Sequence, residues 1–171
     1  MAEALTTFTK LLVVQEIQED ASGAILRFQQ GCQGRLSLGN ANYAAHLRLA
    51  RRSQERQHPV GVRFGEGHAI AELIRADNDV PTQLWEEDAD RARVLFQGHD
   101  AVFRLKRDHP ESARIRTLLS EAIRQKARVW FIAQKPDLAL ADVGFPIGGE
   151  ISASNGEEGK PSVTATDQAG V

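Results

Sequence analysis

The chain has 171 residues, one cysteine and a formal net charge of −2 at neutral pH. That length can hold one sizeable core, and the lone Cys32 excludes both an internal disulfide and a cysteine-built metal cluster. Hydrophobic residues at 42% and charged residues at 26% are ordinary globular values, so neither a fibrous nor a largely disordered chain is expected.

Residues 10–17 read as a strand, followed by the turn Asp20-Ala21-Ser22-Gly23. Residues 24–29 alternate Leu26 and Phe28 with Arg27 and Gln29, the period of a half-buried strand. Residues 31–34 turn the chain and 35–38 alternate again, which makes a hairpin. Asn40 or Asn42 can then cap a helix over 43–56, where Tyr43, Leu47 and Ala50 fall on one face. His58-Pro59 ends it, because a residue before proline is pushed out of the helical region. Strands follow at 60–64 and 69–74 around Gly65-Glu66-Gly67, and Asp77-Asn78-Asp79 closes the unit.

Residues 80–85 read as a short connecting strand, and 86–90 as a charged turn. Strands are predicted at 91–96 and 101–105 around Gly98-His99-Asp100. Asp108, Pro110 and Glu111 have the spacing of a capping box with proline in the first turn, opening a helix over about 110–126. Ile115, Leu118, Leu119, Ala122 and Ile123 form its apolar face, and strands at 128–133 and 138–143 complete the order. From 148 to 171 the chain is rich in Ser, Gly, Glu and Thr and has no aromatic residue, so a disordered tail is expected there.

The second half echoes the first. Residues 25–29 (Ile-Leu-Arg-Phe-Gln) match 93–97 (Arg-Val-Leu-Phe-Gln), and Val62-Arg63-Phe64 matches Val129-Trp130-Phe131. The expected fold is α+β: tandem β-β-α-β-β units, about 24–76 and 91–143, packed as one pseudo-twofold body within a single domain over 1–147. The alternative is an OB-like small barrel over 59–143 with an N-terminal extension.

The net charge conceals blocks: residues 40–64 carry +4, 65–90 carry −7 and 91–135 carry +7. Arg48, Arg52 and Arg56 make a stripe at i, i+4, i+8, and Arg116 and Arg124 stand at related places on the second helix. Such rows can contact phosphates or an acidic partner. Glycine-rich phosphate loops, paired-histidine metal motifs and EF-hand loops are all missing from the sequence, so no cofactor and no metal is expected. His99 and Asp100, adjacent on an exposed turn, are weak catalytic candidates.

The leading expectation is a non-enzymatic binding or regulatory module that meets a protein or nucleic acid through its arginine-bearing helix faces. Two other readings stay open: a ligand-binding or catalytic domain with a pocket between the units, and a self-associating module forming a homodimer. Ten aromatic residues, seven Phe, two Trp and one Tyr, are few for base stacking. No apolar run approaches the roughly 18 residues that span a bilayer, and residues 11–14 are too short for a signal core, so a cytoplasmic protein without membrane contact is expected.

Overall fold

The structure, a computed structural model, describes residues 9–146. The tail expected at 148–171 lies outside the described residues. The fold is mixed α+β, mostly sheet with two helices, and no described helix is long and apolar enough to cross a membrane.

The N-terminal half comprises β1 (Thr9–Leu12), β2 (Val14–Asp20), β3 (Gly23–Phe28), β4 (Gln33–Ser37), α1 (Tyr43–Arg56), β5 (Val60–Phe64) and β6 (Ile70–Arg75). The strand predicted over 10–17 is two strands. The chain breaks at Val13, which is fully buried; its N–H donates to Gln30 Oε1 at 3.2 Å and its carbonyl accepts from Gln29 at 2.9 Å. β1 therefore pairs with β5, while β2 pairs with β3. Sheets β1-β5-β6 and β2-β3-β4 are joined by one isolated parallel bridge, Arg35 to Ala69. Gly23 makes the β2–β3 turn at φ 146°, where a Cβ would run into the Leu36 carbonyl.

α1 spans the predicted residues, without a side-chain cap from Asn42; Asn40 Oδ1 instead accepts from the Asn42 N–H at 2.9 Å. It ends on Gln57 in the left-handed region at φ 55°. Leu47 and Ala50 pack on Leu26, Phe28, Leu36 and Val62, giving the first core.

The C-terminal half comprises β7 (Asp77–Asp79), β8 (Pro81–Glu86), β9 (Arg91–Phe96), β10 (Val102–Lys106), α2 (Ser112–Gln125), β11 (Val129–Gln134) and β12 (Ala139–Gly144). Its sheet has the order β7-β11-β12-β10-β9-β8, antiparallel except for the β10–β12 contact at Arg104 and Ala139. The strands at 60–64 and 70–75 sit in a different sheet from those at 91–106, and no barrel closes, so the OB-like alternative is overturned. The capping box does not form either. Glu111 is the cap residue, its N–H donates to His109 Nδ1 at 3.1 Å, and its carboxylate turns to Arg114 at 3.0 Å. Ile115, Leu119 and Ala122 pack on Val94, Leu105 and Phe131 to make the second core.

A third, smaller cluster joins the halves: Leu11, Ile74 and Ala76 against Trp130, Ile132 and Ala141. Gly61 permits this approach, since a Cβ there would collide with the Ile132 side chain. Across the same seam the Leu11 N–H donates to Asp142 Oδ2 at 2.8 Å, and Arg114 bonds both Asp142 and the Val143 carbonyl.

Candidate functional site

Where the halves meet, the chain leaves a cleft of about 370 Å³. α1 sends Arg52 and Arg56 into its wall, because Leu47 and Ala50 hold its other side against the first core and the buried Ser53 sits at the cleft floor beside them. Ser53 fixes the helix end: its hydroxyl donates to the His58 carbonyl at 2.6 Å and accepts the Val14 N–H at 3.0 Å. The buried Pro59 then turns the chain into β5 and leaves His58 exposed, its ring 4.8 Å from that of Trp130. Arg75 ends β6, and Asp77 and Asn78 of β7 run beside β11, with Asn78 opposite Trp130.

Arg52, Arg56 and Arg75 make no ion pair among the described residues, and neither does Asp77. Three unpaired guanidiniums against one carboxylate leave the cleft positive, a lining suited to an anion. Guanidinium forks recognise carboxylate and phosphate oxygens in bidentate fashion.

His99 also lines the cleft, and its partner is Asp79, not the neighbouring Asp100, which is exposed. Nδ1 of His99 lies 2.7 Å from Asp79 Oδ2. The same carboxylate accepts the Val80 and Gly98 N–H groups, each at 2.7 Å. Burial works against ionisation of Asp79, but the hydrogen bonds from His99, Val80 and Gly98 outweigh it and hold the carboxyl below its ordinary range. An ionised Asp79 makes Nδ1 the donor and leaves Nε2 without a hydrogen-bond partner among the described residues. Phe96, Phe103 and Phe131 meet the ring at centroid distances of 6.2, 5.5 and 5.5 Å, which fixes its plane.

Comparison with known proteins finds no family model, curated protein or solved structure that matches this chain.

The two arginine rows part company. Arg52 and Arg56 enter the cleft, and Arg48 stands exposed on the same stripe outside it. Arg116 is bonded to Glu86, the first residue of the charged turn expected at 86–90, which stays exposed, and Arg124 is bonded to Glu121 on its own helix. The hydrogen bond from Arg116 holds the Glu86 carboxyl below its ordinary range. Nor do the rows correspond in position. Tyr43 and Ser112 begin the helices and Val60 and Val129 begin the following strands, each pair 69 residues apart. At that spacing Arg116 falls against Leu47 and Arg124 against Glu55, and the Val62–Val129 match of the sequence is displaced by two residues. A two-residue displacement keeps every side chain on the same face, which is why the strand pattern still looked continuous.

Sequence reasoning missed Arg75 and Asp79. Arg75 is the single Lys or Arg within the acidic block 65–90, a signal that was there to be read. Asp79 lies twenty residues from His99, and no local pattern links them. Cys32 is exposed and free, and the described residues hold no group of three or more potential metal ligands.

The remaining three histidines lie outside the cleft lining. His109 Nε2 faces the Ala141 carbonyl at 2.8 Å, and His68 is an exposed turn residue. His46 is buried on α1 with Nδ1 unpartnered. Burial pushes its protonation below the ordinary 6.5, against a partial pull from Glu72. Because the folded value is the lower one, the unfolded chain binds the proton more readily. Stability is full above the unfolded value near 6.5 and is lost as pH falls below it. The His46→Leu variant is expected to lack this share of the acid limb in urea unfolding between about pH 5 and about pH 7.5. Equal pH slopes in the two proteins would refute the assignment.

Proposed function

We propose that this protein is a non-enzymatic binding module that takes an anionic ligand in the cleft between its halves. One observation carries the reading: Arg52, Arg56 and Arg75, from α1 and β6, line one concave site with no carboxylate committed to any of them. An exposed helix face needs polar residues in any case. It does not need two of its guanidiniums to share a cleft with a third from another strand.

The α2 row gives the contrast, since Arg116 and Arg124 are both occupied by glutamates. A partner met through both helix faces alike is therefore a poorer reading than a ligand at the α1 side. The cleft also lies between the two halves, and we propose that these are copies of one unit. The support is their shared element order and the 69-residue spacing of helices and following strands.

Calorimetric titration with inorganic pyrophosphate at low salt tests the reading. The Arg52→Glu/Arg56→Glu protein is expected to bind at least about tenfold more weakly, and added salt to weaken the wild type. Arg48→Glu, on the same stripe outside the cleft, is expected to change affinity by less than about twofold. No binding at millimolar pyrophosphate, or an equal loss with Arg48→Glu, would sink the cleft as an anion site.

A further inference from the structure

We infer that the ligand of this cleft is a nucleotide, its phosphates on the arginines and its base against the aromatic wall of His58 and Trp130. The inference rests on the anion reading above and adds the chemistry of the ligand's other end. Four features point the same way.

The first is size. A cleft of about 370 Å³ lies within the range of small-molecule sites and encloses too little for the surface of a folded partner. The second is the aromatic part of the lining. His58 is exposed and its ring is tilted 45° against the half-buried Trp130, so the two make a π surface at the border of the cavity. Base stacking on such a surface tolerates any base, because every base has a π face. A purely inorganic anion would gain nothing from it.

The third feature is hydrogen bonding at the cleft edge. Asn78 has its Oδ1 near Arg128 at 3.3 Å, and its amide N–H groups have no partner among the described residues. Asp77, also unpaired, is an acceptor in a positively charged site. A carboxylate is a poor neighbour for a bare phosphate, and a good acceptor for a ribose hydroxyl or a base amino group. The fourth is charge balance: three guanidiniums against one carboxylate suit a ligand with at least two negative charges.

A nucleotide can be free or the end of a strand, and the recognising chemistry is the same. Trp85→Phe leaves Trp130 as the only tryptophan of the full chain, and its fluorescence then reports binding at the cleft. This protein is titrated with inorganic pyrophosphate, with ADP, GDP, CDP and UDP, and with a short oligoribonucleotide. At least one nucleoside diphosphate is expected to bind about tenfold or more tightly than pyrophosphate and to quench Trp130. His58→Ala is expected to remove that advantage while leaving pyrophosphate binding within about twofold, and His58→Phe to restore it. Both His58 variants keep the bond to Ser53, which uses the His58 carbonyl and not its ring, and unchanged pyrophosphate binding checks that the cleft is intact.

Pyrophosphate binding with no nucleotide advantage, or an advantage that survives His58→Ala, overturns the nucleotide and leaves the anion site standing. Absence of binding by both overturns both. Tighter binding of the oligoribonucleotide than of any diphosphate assigns the nucleotide to a strand; equal or weaker binding assigns it to the free pool.

Discussion

Phe131→Ala is expected to lower the free energy of unfolding by about 3–5 kcal/mol. Phe131 has no exposed surface and stands at the centre of the C-terminal core. Its ring stacks on Phe96 at 4.0 Å and takes the edge of Phe103 at 5.2 Å. Removing it opens a void that Ile115 and Leu119 of α2 cannot fill without leaving their strand contacts, and voids of that size are only partly recovered by relaxation. The same substitution removes one of the three rings that hold His99 in its plane. Denaturant unfolding of Phe131→Ala beside Phe64→Ala checks the claim. Phe64 is half-exposed and touches one aromatic neighbour, Phe28 at 6.2 Å, so its loss is expected to cost markedly less. Equal costs would mean that the C-terminal aromatic cluster is not the anchor it is taken to be.

Asp79→Ala is expected to destabilise by about 2–4 kcal/mol, although the side chain it removes is small and polar. The carboxylate brackets three donors, the N–H groups of Val80 and Gly98 and Nδ1 of His99. Alanine leaves all three without an acceptor, in a place where water reaches only part of the space: the Asp79 side chain keeps about 9% of its surface. The pH dependence has a definite sign. The folded value lies below the unfolded 3.8, so the stabilisation is present above 3.8 and is lost as pH falls from there toward the folded value. Asp79→Asn, which has no such titration, is expected to show a flatter acid limb at a lower plateau. Unfolding curves between about pH 2.5 and about pH 6 read this, and an unchanged acid limb would show that Asp79 gains nothing from its three donors.

Much of the secondary structure was legible because its signals are local. α1 begins and ends at the predicted residues since Pro59 dictates where a helix must stop and the Tyr43, Leu47, Ala50 spacing dictates its face. What failed was whatever depends on a distant partner. Val13 looks like one more residue of an apolar run; only Gln29 and Gln30, from the next loop, make it the point where the strand changes sheets. Asp77-Asn78-Asp79 has the composition of a turn, and β11 recruits it as an edge strand by pairing Asn78 with Trp130. His109 takes the Glu111 N–H that the capping box had assigned to Asp108. The candidate site divides along the same line. The spacing of Arg52 and Arg56 was visible, whereas the meeting of Arg75 and His58 with them is a product of the tertiary fold.

The passage between the halves is very short. β6 ends at Arg75, β7 begins at Asp77, and the single residue between them, Ala76, is buried in the seam. A hinge needs a few residues free to change their backbone angles, and none are supplied here. The walls of the cleft are thus preorganised, set by one covalent link and by Ile132 lying over Gly61, not by a closing motion. A ligand entering it spends no binding free energy on drawing two lobes together, and recognition is governed by fit to a shape already present.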